Sequence, residues 1–208
     1  MFNQGDFLSI LQLGTGLFWI VTYILIIIRG YQDENYGMPM VAICANISWE
    51  FIFTFILPHS GPQKIITLIW FLLDIIIMMQ YLKYGRKEIK KGTSADYFYL
   101  SFFIALGFSF FIIIAMTFEF NDVEGKYTAF SQNLMMSGLF ISLLLSRGNT
   151  SGQSIYIAIF KMLGSLFAAV AFFIYFRTDL ITILSIATFV YDWIYIVLLR
   201  KFYRKNRI

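Results

Sequence analysis

Three acidic residues stand inside long apolar runs, where a charged side chain is costly to bury. Glu50 follows "MVAICANISW", Asp74 follows "LIWFLL", and Asp192 lies within "FVYDWIYIV". A charge at bilayer depth costs at least ~2.5 kcal/mol on insertion scales, so an intramembrane acid indicates a functional site by default. The alternative is structural, an interhelical hydrogen bond that holds the helices together. We predict that all three carboxyl groups line one cavity and take part in acid chemistry.

The composition is typical of a membrane protein. Of the 208 residues, 59% are hydrophobic and 13% are charged, whereas about a quarter are charged in a soluble domain. The net charge of +4 comes from short loops and the C-terminus, without a basic aromatic face, so nucleic acid is not an expected partner. The single cysteine, Cys44, and the single histidine, His59, exclude a disulfide framework, a His-based triad and a His-rich or Cys-rich metal site within one chain. We therefore expect no metal and no cofactor.

The apolar runs are long enough to cross a bilayer, which takes roughly 20 residues per helix. They predict an all-α fold, a polytopic bundle of seven transmembrane helices in a single domain, residues 1–208. The predicted helices are Leu8 to Ile28, Pro39 to Leu57, Ile65 to Leu82, Tyr97 to Phe120, Tyr127 to Ser146, Gln153 to Phe176 and Leu180 to Leu199. The short connections between them predict antiparallel neighbours.

Basic residues orient this bundle, because Lys and Arg accumulate in cytoplasmic loops. With the N-terminus outside, twelve of the sixteen lie on the cytoplasmic side, three lie on the other side, and Lys161 is left within the sixth helix. The sequence thus predicts an outside N-terminus and a cytoplasmic C-terminus. Lys161 is expected to lift its ammonium group toward the membrane interface on its long stem.

Polar and aromatic neighbours of the acids are candidate substrate-binding residues. These neighbours are Asn46 beside Glu50, Trp70 beside Asp74, and Tyr191 and Tyr195 beside Asp192. Asn46 is one helical turn before Glu50, so its amide is expected to bond the Glu50 carboxyl group. Aromatic residues form 20% of the chain, and aromatic faces attract cations. A dry pocket of rings and acids therefore suits a carbocation that water would quench.

Four ordered blocks resemble the integral-membrane terpene cyclases of fungal meroterpenoid and indole-diterpene pathways and their bacterial relatives. The blocks are "YGMPMVAICANISWEF", "WFLLD", "QNLMMSGLFISLLLSRGNTSGQSIYIAIFKMLGS" and "YDWIY". The resemblance implies a seven-helix bundle that protonates an epoxide or terminal alkene of a prenylated substrate, of farnesyl or geranylgeranyl type, and directs ring closure. It implies Glu50 and Asp192 as the key acids, with Asp74 in support. Trp49 and Asn133 lie in the same blocks and join the candidate substrate-binding residues.

The proton chemistry expected of these acids follows from burial. A buried carboxyl group with a second one nearby keeps one proton near neutral pH, because the pair resists double ionisation. Asp192 is expected to hold that shared proton or to stabilise positive charge, it or a water to accept the proton that ends the cascade, and Asp74 to orient the pair. The alternative functions are a proton-coupled transporter and a prenyl-lipid-binding membrane protein. We expect an integral protein of a bacterial cytoplasmic membrane.

Overall fold

The computed structural model describes residues 4–88 and 97–205, and this part of the chain forms seven helices and no strand. They are α1 (Gln4–Gln32), α2 (Met40–Phe51), α3 (Gly61–Glu88), α4 (Phe98–Glu119), α5 (Lys126–Arg147), α6 (Ile155–Tyr175) and α7 (Asp179–Lys205). All but α2 are long and apolar enough to cross a membrane. The predicted all-α, seven-helix membrane bundle is confirmed, while its orientation stays a prediction. Of the basic residues that predict the orientation, Lys90, Lys91 and Arg207 lie outside the described residues.

Helix α2 is the shortest of the seven and carries Glu50 in its last turn. It begins after Pro39, whose missing N–H leaves no unpaired donor at a helix start. It ends in a π-helical turn, Ile52–Ile56, where the backbone N–H of Leu57 donates to the carbonyl of Ile52 at 2.8 Å. Such turns are rare and often mark functional sites. Here the turn directs the chain out of the helix directly after Glu50.

The helices pack as a ring around an interior space. In spatial order the ring is α1, α6, α7, α5, α2 and α3, and α4 packs against α2. Because α2 has α3, α4 and α5 as neighbours, residues 42–50 are all buried. Glu50 is therefore enclosed by helices and does not face lipid.

Polar contacts tie the chain together at the end of the bundle where α1 and α5 finish. Arg147 pairs with Glu88 at 2.8 Å and donates to the carbonyls of Tyr36 and Ser151, both at 2.8 Å. Its guanidinium also lies over the Tyr36 ring, 4.2 Å from the ring centroid. This cluster joins the connections after α1 and α5 to the end of α3.

Candidate active site

A cavity of about 620 Å³ occupies the interior of the ring. Its walls come from α1, α2, α3, α5 and α6, and its mouth comes from residues 56–60 and 123–124 in the α2–α3 and α4–α5 connections. The volume lies within the roughly 300–1,000 Å³ usual for small-molecule sites. Five predicted residues line it: Glu50, Asn46, Trp49, Trp70 and Asn133.

Glu50 and Asp74 form a pair of buried carboxyl groups, one on α2 and one on α3. Glu50 is 2% exposed and lines the cavity, while Asp74 is 0% exposed and lies behind it. Glu50 Oε2 and both Asp74 oxygens receive no hydrogen bond from an N–H or O–H of the described residues. Two carboxylates cannot bond each other, since both only accept, but one proton between them supplies the missing donor. The geometry therefore suits a pair that shares one proton.

Tyr23 of α1 holds the other oxygen of Glu50. Its hydroxyl donates to Glu50 Oε1 at 3.1 Å, and it accepts from Asn46 Nδ2 at 2.6 Å. The expected direct bond from Asn46 to Glu50 is therefore wrong, because the Tyr23 hydroxyl lies between the two side chains. Sequence reasoning missed Tyr23 and its neighbour Trp19, which also lines the cavity. A signal was present, since the cavity-lining α1 residues recur every three or four positions, as one face of a helix does.

The indole rings of Trp49 and Trp70 line the same cavity as Glu50. Trp49 donates from Nε1 to the Gly125 carbonyl at 2.9 Å and to Thr128 Oγ1 at 3.1 Å, which attaches α2 to the start of α5. Gly125 has φ +65°, and a Cβ at this position would clash with the Phe53 ring, so only glycine fits. Trp70 is anchored to α1 by a longer contact, 3.4 Å from Nε1 to the carbonyl of Gly16. Both rings are thus held in the cavity wall by hydrogen bonds from their Nε1 atoms.

The mouth of the cavity is polar, with His59 at its centre. The His59 ring stacks on Phe53 with 5.1 Å between centroids and contacts Thr67 Oγ1 through Nδ1 at 3.2 Å and the Glu124 carbonyl through Nε2 at 3.1 Å. Burial lowers the pKa of His59 below its ordinary 6.5, and the contact with the Glu124 backbone opposes that shift. His59 therefore joins the two connections that form the mouth.

Asp192 lies apart from the carboxyl pair, which corrects the expectation of one cavity lined by three acids. It does not line the cavity, and its Oδ1 forms an ion pair of 2.8 Å with Lys161 Nζ. The expectation that Lys161 reaches the interface is also wrong. The Lys161 side chain is fully buried, because acceptors within the bundle satisfy its ammonium group.

The two tyrosines beside Asp192 are placed differently. Tyr191 is 44% exposed on the outer surface of α7, so the structure does not place it in the cavity. Consecutive helical positions point in different directions, and Asp192 takes the inner one. Tyr195 is buried one turn after Asp192 but does not line the cavity. Its hydroxyl and Asp192 Oδ2 have no hydrogen-bond partner among the described residues.

A metal-binding cluster is not found in the described part of the chain. Within residues 4–88 and 97–205, no three His, Cys, Asp or Glu side chains gather closely enough to hold an ion. The arrangement brings together two buried carboxyl groups, aromatic walls and a polar mouth. These are the parts needed for acid catalysis on an apolar substrate.

Comparison with known proteins finds relatives that are named as terpene cyclases. The chain is 34% identical over 162 residues to the Pyr4-family terpene cyclase mfmH of Annulohypoxylon moriforme, covering 76% of this chain and 66% of the relative. It is 30% identical over 161 residues to asnovolin H synthase nvfL of Aspergillus novofumigatus, with the same coverage. It is 27% identical over 157 residues to terpene cyclase pyr4 of Aspergillus fumigatus, covering 74% and 65%. No solved structure matches the chain.

These relatives are fungal and longer than this chain. The match spans just under two thirds of the length of each. Their fungal source conflicts with the expectation of a bacterial membrane, although membrane integration itself agrees with the six spanning helices. The sequence model of the Pyr4-like transmembrane terpene cyclases matches residues 4–205, which is nearly the whole chain. The chain therefore belongs to the Pyr4-like transmembrane terpene cyclase family.

Proposed function

We propose that this chain is a membrane-bound terpene cyclase that protonates the epoxide or terminal alkene of a prenylated substrate and directs ring closure. The observation that carries the proposal is the position of Glu50. Its carboxyl group lies in the wall of an aromatic-lined cavity, beside the second buried carboxyl of Asp74. The names of the relatives support the same class of reaction. Neither a metal nor a redox cofactor is required by the chemistry proposed.

The reaction begins with proton transfer from Glu50. An epoxide oxygen takes the proton as one C–O bond breaks, or a terminal alkene takes it at carbon, and a carbocation forms. The next alkene of the chain donates its electron pair to form a C–C bond, and the charge moves along the chain. Loss of a proton to the Glu50 carboxylate, directly or through water, ends the cascade and restores the acid. The product is an isomer of the substrate, and no electrons are exchanged with a partner.

The cavity supplies what the intermediates need. Trp19, Trp49 and Trp70 line it, and a desolvated cation over an aromatic face gains up to about 2 kcal/mol or more. The Tyr23 hydroxyl stabilises the carboxylate that forms when Glu50 gives up its proton, because hydrogen bonds to charged groups are stronger than neutral ones. Asp74 keeps the proton on the pair before substrate arrives. Glu50 is thus the proton donor, and Asp74 and Tyr23 tune it.

The proposed substrate fits the polarity of the cavity from mouth to base. The mouth carries the polar residues His59 and Glu124, whereas the walls combine the three Trp rings with a few polar side chains, among them Asn46 and Asn133. A prenyl chain of farnesyl or geranylgeranyl type would lie along the walls with its reactive end at Glu50. The polar acceptor group that carries the chain would lie at the mouth.

The test compares wild type with Glu50→Gln, purified in detergent and incubated with farnesyl- and geranylgeranyl-bearing phenols as terminal epoxides and alkenes. The amide keeps the shape of the side chain but cannot donate a catalytic proton. General acid catalysis supplies about 10²- to 10⁴-fold, so we expect turnover to isomers of unchanged mass to fall at least ~10²-fold. Asp74→Asn should lose less.

The matched control is Glu119→Gln, which neutralises an exposed carboxyl group at the end of α4 and should retain wild-type turnover. Thermal unfolding separates lost chemistry from lost structure. A folded Glu50→Gln protein with wild-type turnover would contradict the proposal. Uptake of the probe into vesicles without isomerisation would favour a transporter instead.

A further inference from the structure

A fully buried ammonium group joins three helices beside the cavity. Lys161 Nζ on α6 contacts Asp192 Oδ1 on α7 at 2.8 Å, and on α5 Ser137 Oγ at 2.6 Å and Asn133 Oδ1 at 3.1 Å. An ammonium group has three N–H donors, so each of them has one acceptor. The charge of Lys161 is balanced by Asp192, and none of its hydrogen-bonding capacity is left for a substrate.

One cavity wall is attached directly to this ion pair. Asn133 accepts from Lys161 at its Oδ1 and donates from its Nδ2 to Ser165 Oγ at 2.9 Å, so both ends of its amide are held. Asn133 and Phe130 line the cavity and also an apolar groove of about 560 Å³ between α6 and α7. These two residues therefore form the partition between the cavity and that groove.

A second wall is attached through an aromatic ring. The Lys161 ammonium lies 5.6 Å from the centroid of the Trp19 ring, which lines the cavity. Trp19 packs edge-to-face on Tyr23 with 5.7 Å between centroids, and Tyr23 holds Glu50. A chain of contacts through Trp19 and Tyr23 thus connects the ion pair to Glu50, although neither Lys161 nor Asp192 lines the cavity.

We propose that the Lys161–Asp192 ion pair positions Asn133 and Trp19 as walls of the cyclisation cavity, with Asp192 acting as counter-ion and not as proton donor. This inference rests on the proposed cyclase function. Lys161 and Asp192 are positioning residues, since they act through the side chains of Asn133 and Trp19. A displacement of about 1 Å can cost about 10²-fold in rate, so loss of either partner is expected to be severe even though neither meets the substrate.

The test is a double-mutant cycle of Lys161→Gln, Asp192→Asn and the combined variant. Each single change leaves one buried charge unpaired, which strongly destabilises a protein, so both melting temperature and turnover should fall. The combined variant carries a neutral amide pair and should regain melting temperature and at least about tenfold in turnover over Asp192→Asn. A combined variant that regains its melting temperature but stays as inactive as Asp192→Asn would overturn the proposal, as would single variants with wild-type turnover.

Asn133→Leu covers the case in which the combined variant does not fold. It leaves the ion pair in place and removes the amide that the pair holds. The expected readout is a larger fraction of partly cyclised or water-quenched product, since the partition is altered while Glu50 is intact. Unchanged turnover and product ratio would overturn the proposal. If wild type produces no isomer from any probe, the cyclase function has failed, whereas the melting temperatures of the cycle still report whether Lys161 and Asp192 stabilise the bundle as a coupled pair.

Discussion

Tyr23→Phe is the most informative change near the acid, because it removes one hydroxyl and keeps the ring. That hydroxyl donates to Glu50 Oε1 at 3.1 Å and accepts from Asn46 Nδ2 at 2.6 Å. Before reaction it bonds a neutral carboxyl group, and during proton transfer it bonds a developing carboxylate. Only the difference between the two bonds affects the rate of the chemical step.

The size of this difference follows from typical hydrogen-bond energies. A neutral bond contributes about 1 kcal/mol and a bond to a charged group about 1.5–3 kcal/mol, so the change during proton transfer is about 0.5–2 kcal/mol. At 1.36 kcal/mol per decade, kcat should fall about 2- to 30-fold. KM should change little, since the substrate does not contact the bond. The loss is smaller than that expected for Glu50→Gln.

The assay is initial-rate turnover of the epoxide probe, normalised to folded protein. Folding must be measured, because the change leaves Asn46 Nδ2 unpaired, which costs about 1–3 kcal/mol for a buried donor. Tyr195→Phe is the matched control. Tyr195 is also buried, but its hydroxyl has no partner among the described residues and lies outside the cavity, so turnover should not change. Wild-type turnover by Tyr23→Phe would refute the stabilising role, and a loss as large as that of Glu50→Gln would assign the proton to Tyr23.

Two further changes test the mouth and the wall of the cavity. Burial lowers the pKa of His59 below 6.5, so just below pH 6.5 the unfolded chain binds more protons than the folded protein, and stability falls as the pH drops. In His59→Gln the decrease in melting temperature from pH 7.5 to pH 5.5 should be smaller than in wild type. An equal decrease would show that His59 does not cause this pH dependence. Gly164→Ala places a Cβ 2.7 Å from Trp19 Cδ1, so turnover should fall and the product ratio should change. The control, Gly107→Ala, has no atom within 4 Å of the added Cβ and should change neither quantity. Equal turnover and product ratio in the two variants would contradict the role of Trp19 as a cavity wall.

The helices were predictable from the sequence because membrane-spanning runs are a local property. Each predicted run lies within or close to an observed helix, and α1, α3 and α7 are longer than predicted because the helix continues past basic residues at their C-terminal ends. Glu50 and Asp74 were predictable because a carboxyl group in an apolar run must be enclosed. Their mutual contact required knowing that α2 and α3 are neighbours in the ring, which short connections favour.

Partners of the acids were less predictable, because they depend on how each helix is rotated. Tyr23 shares one face of α1 with the other cavity-lining residues of that helix, but the sequence alone does not tell which face of α1 turns toward the interior. Lys161 has a stem long enough either to reach the interface or to end inside the bundle, and the acceptors that decide between these lie 24–31 residues away. The expected pairing of Asp192 with Glu50 failed for this reason, since Asp192 has a cation as its closer partner.

The bundle contains two kinds of buried ionisable group, the Glu50–Asp74 carboxyl pair and the Lys161–Asp192 ion pair. The proposed proton on Glu50 requires that the Lys161 ammonium does not approach the carboxyl pair. Lys161 is the only lysine or arginine among the fully buried residues described. A cation within about 4–6 Å of a carboxyl group favours its ionised form, so a free ammonium beside Glu50 and Asp74 would remove the proton that they share. Asp192, Asn133 and Ser137 take up every N–H of that ammonium instead. In the proposed mechanism the ion pair therefore serves catalysis twice, by holding the walls and by keeping the Lys161 ammonium bound away from the acid.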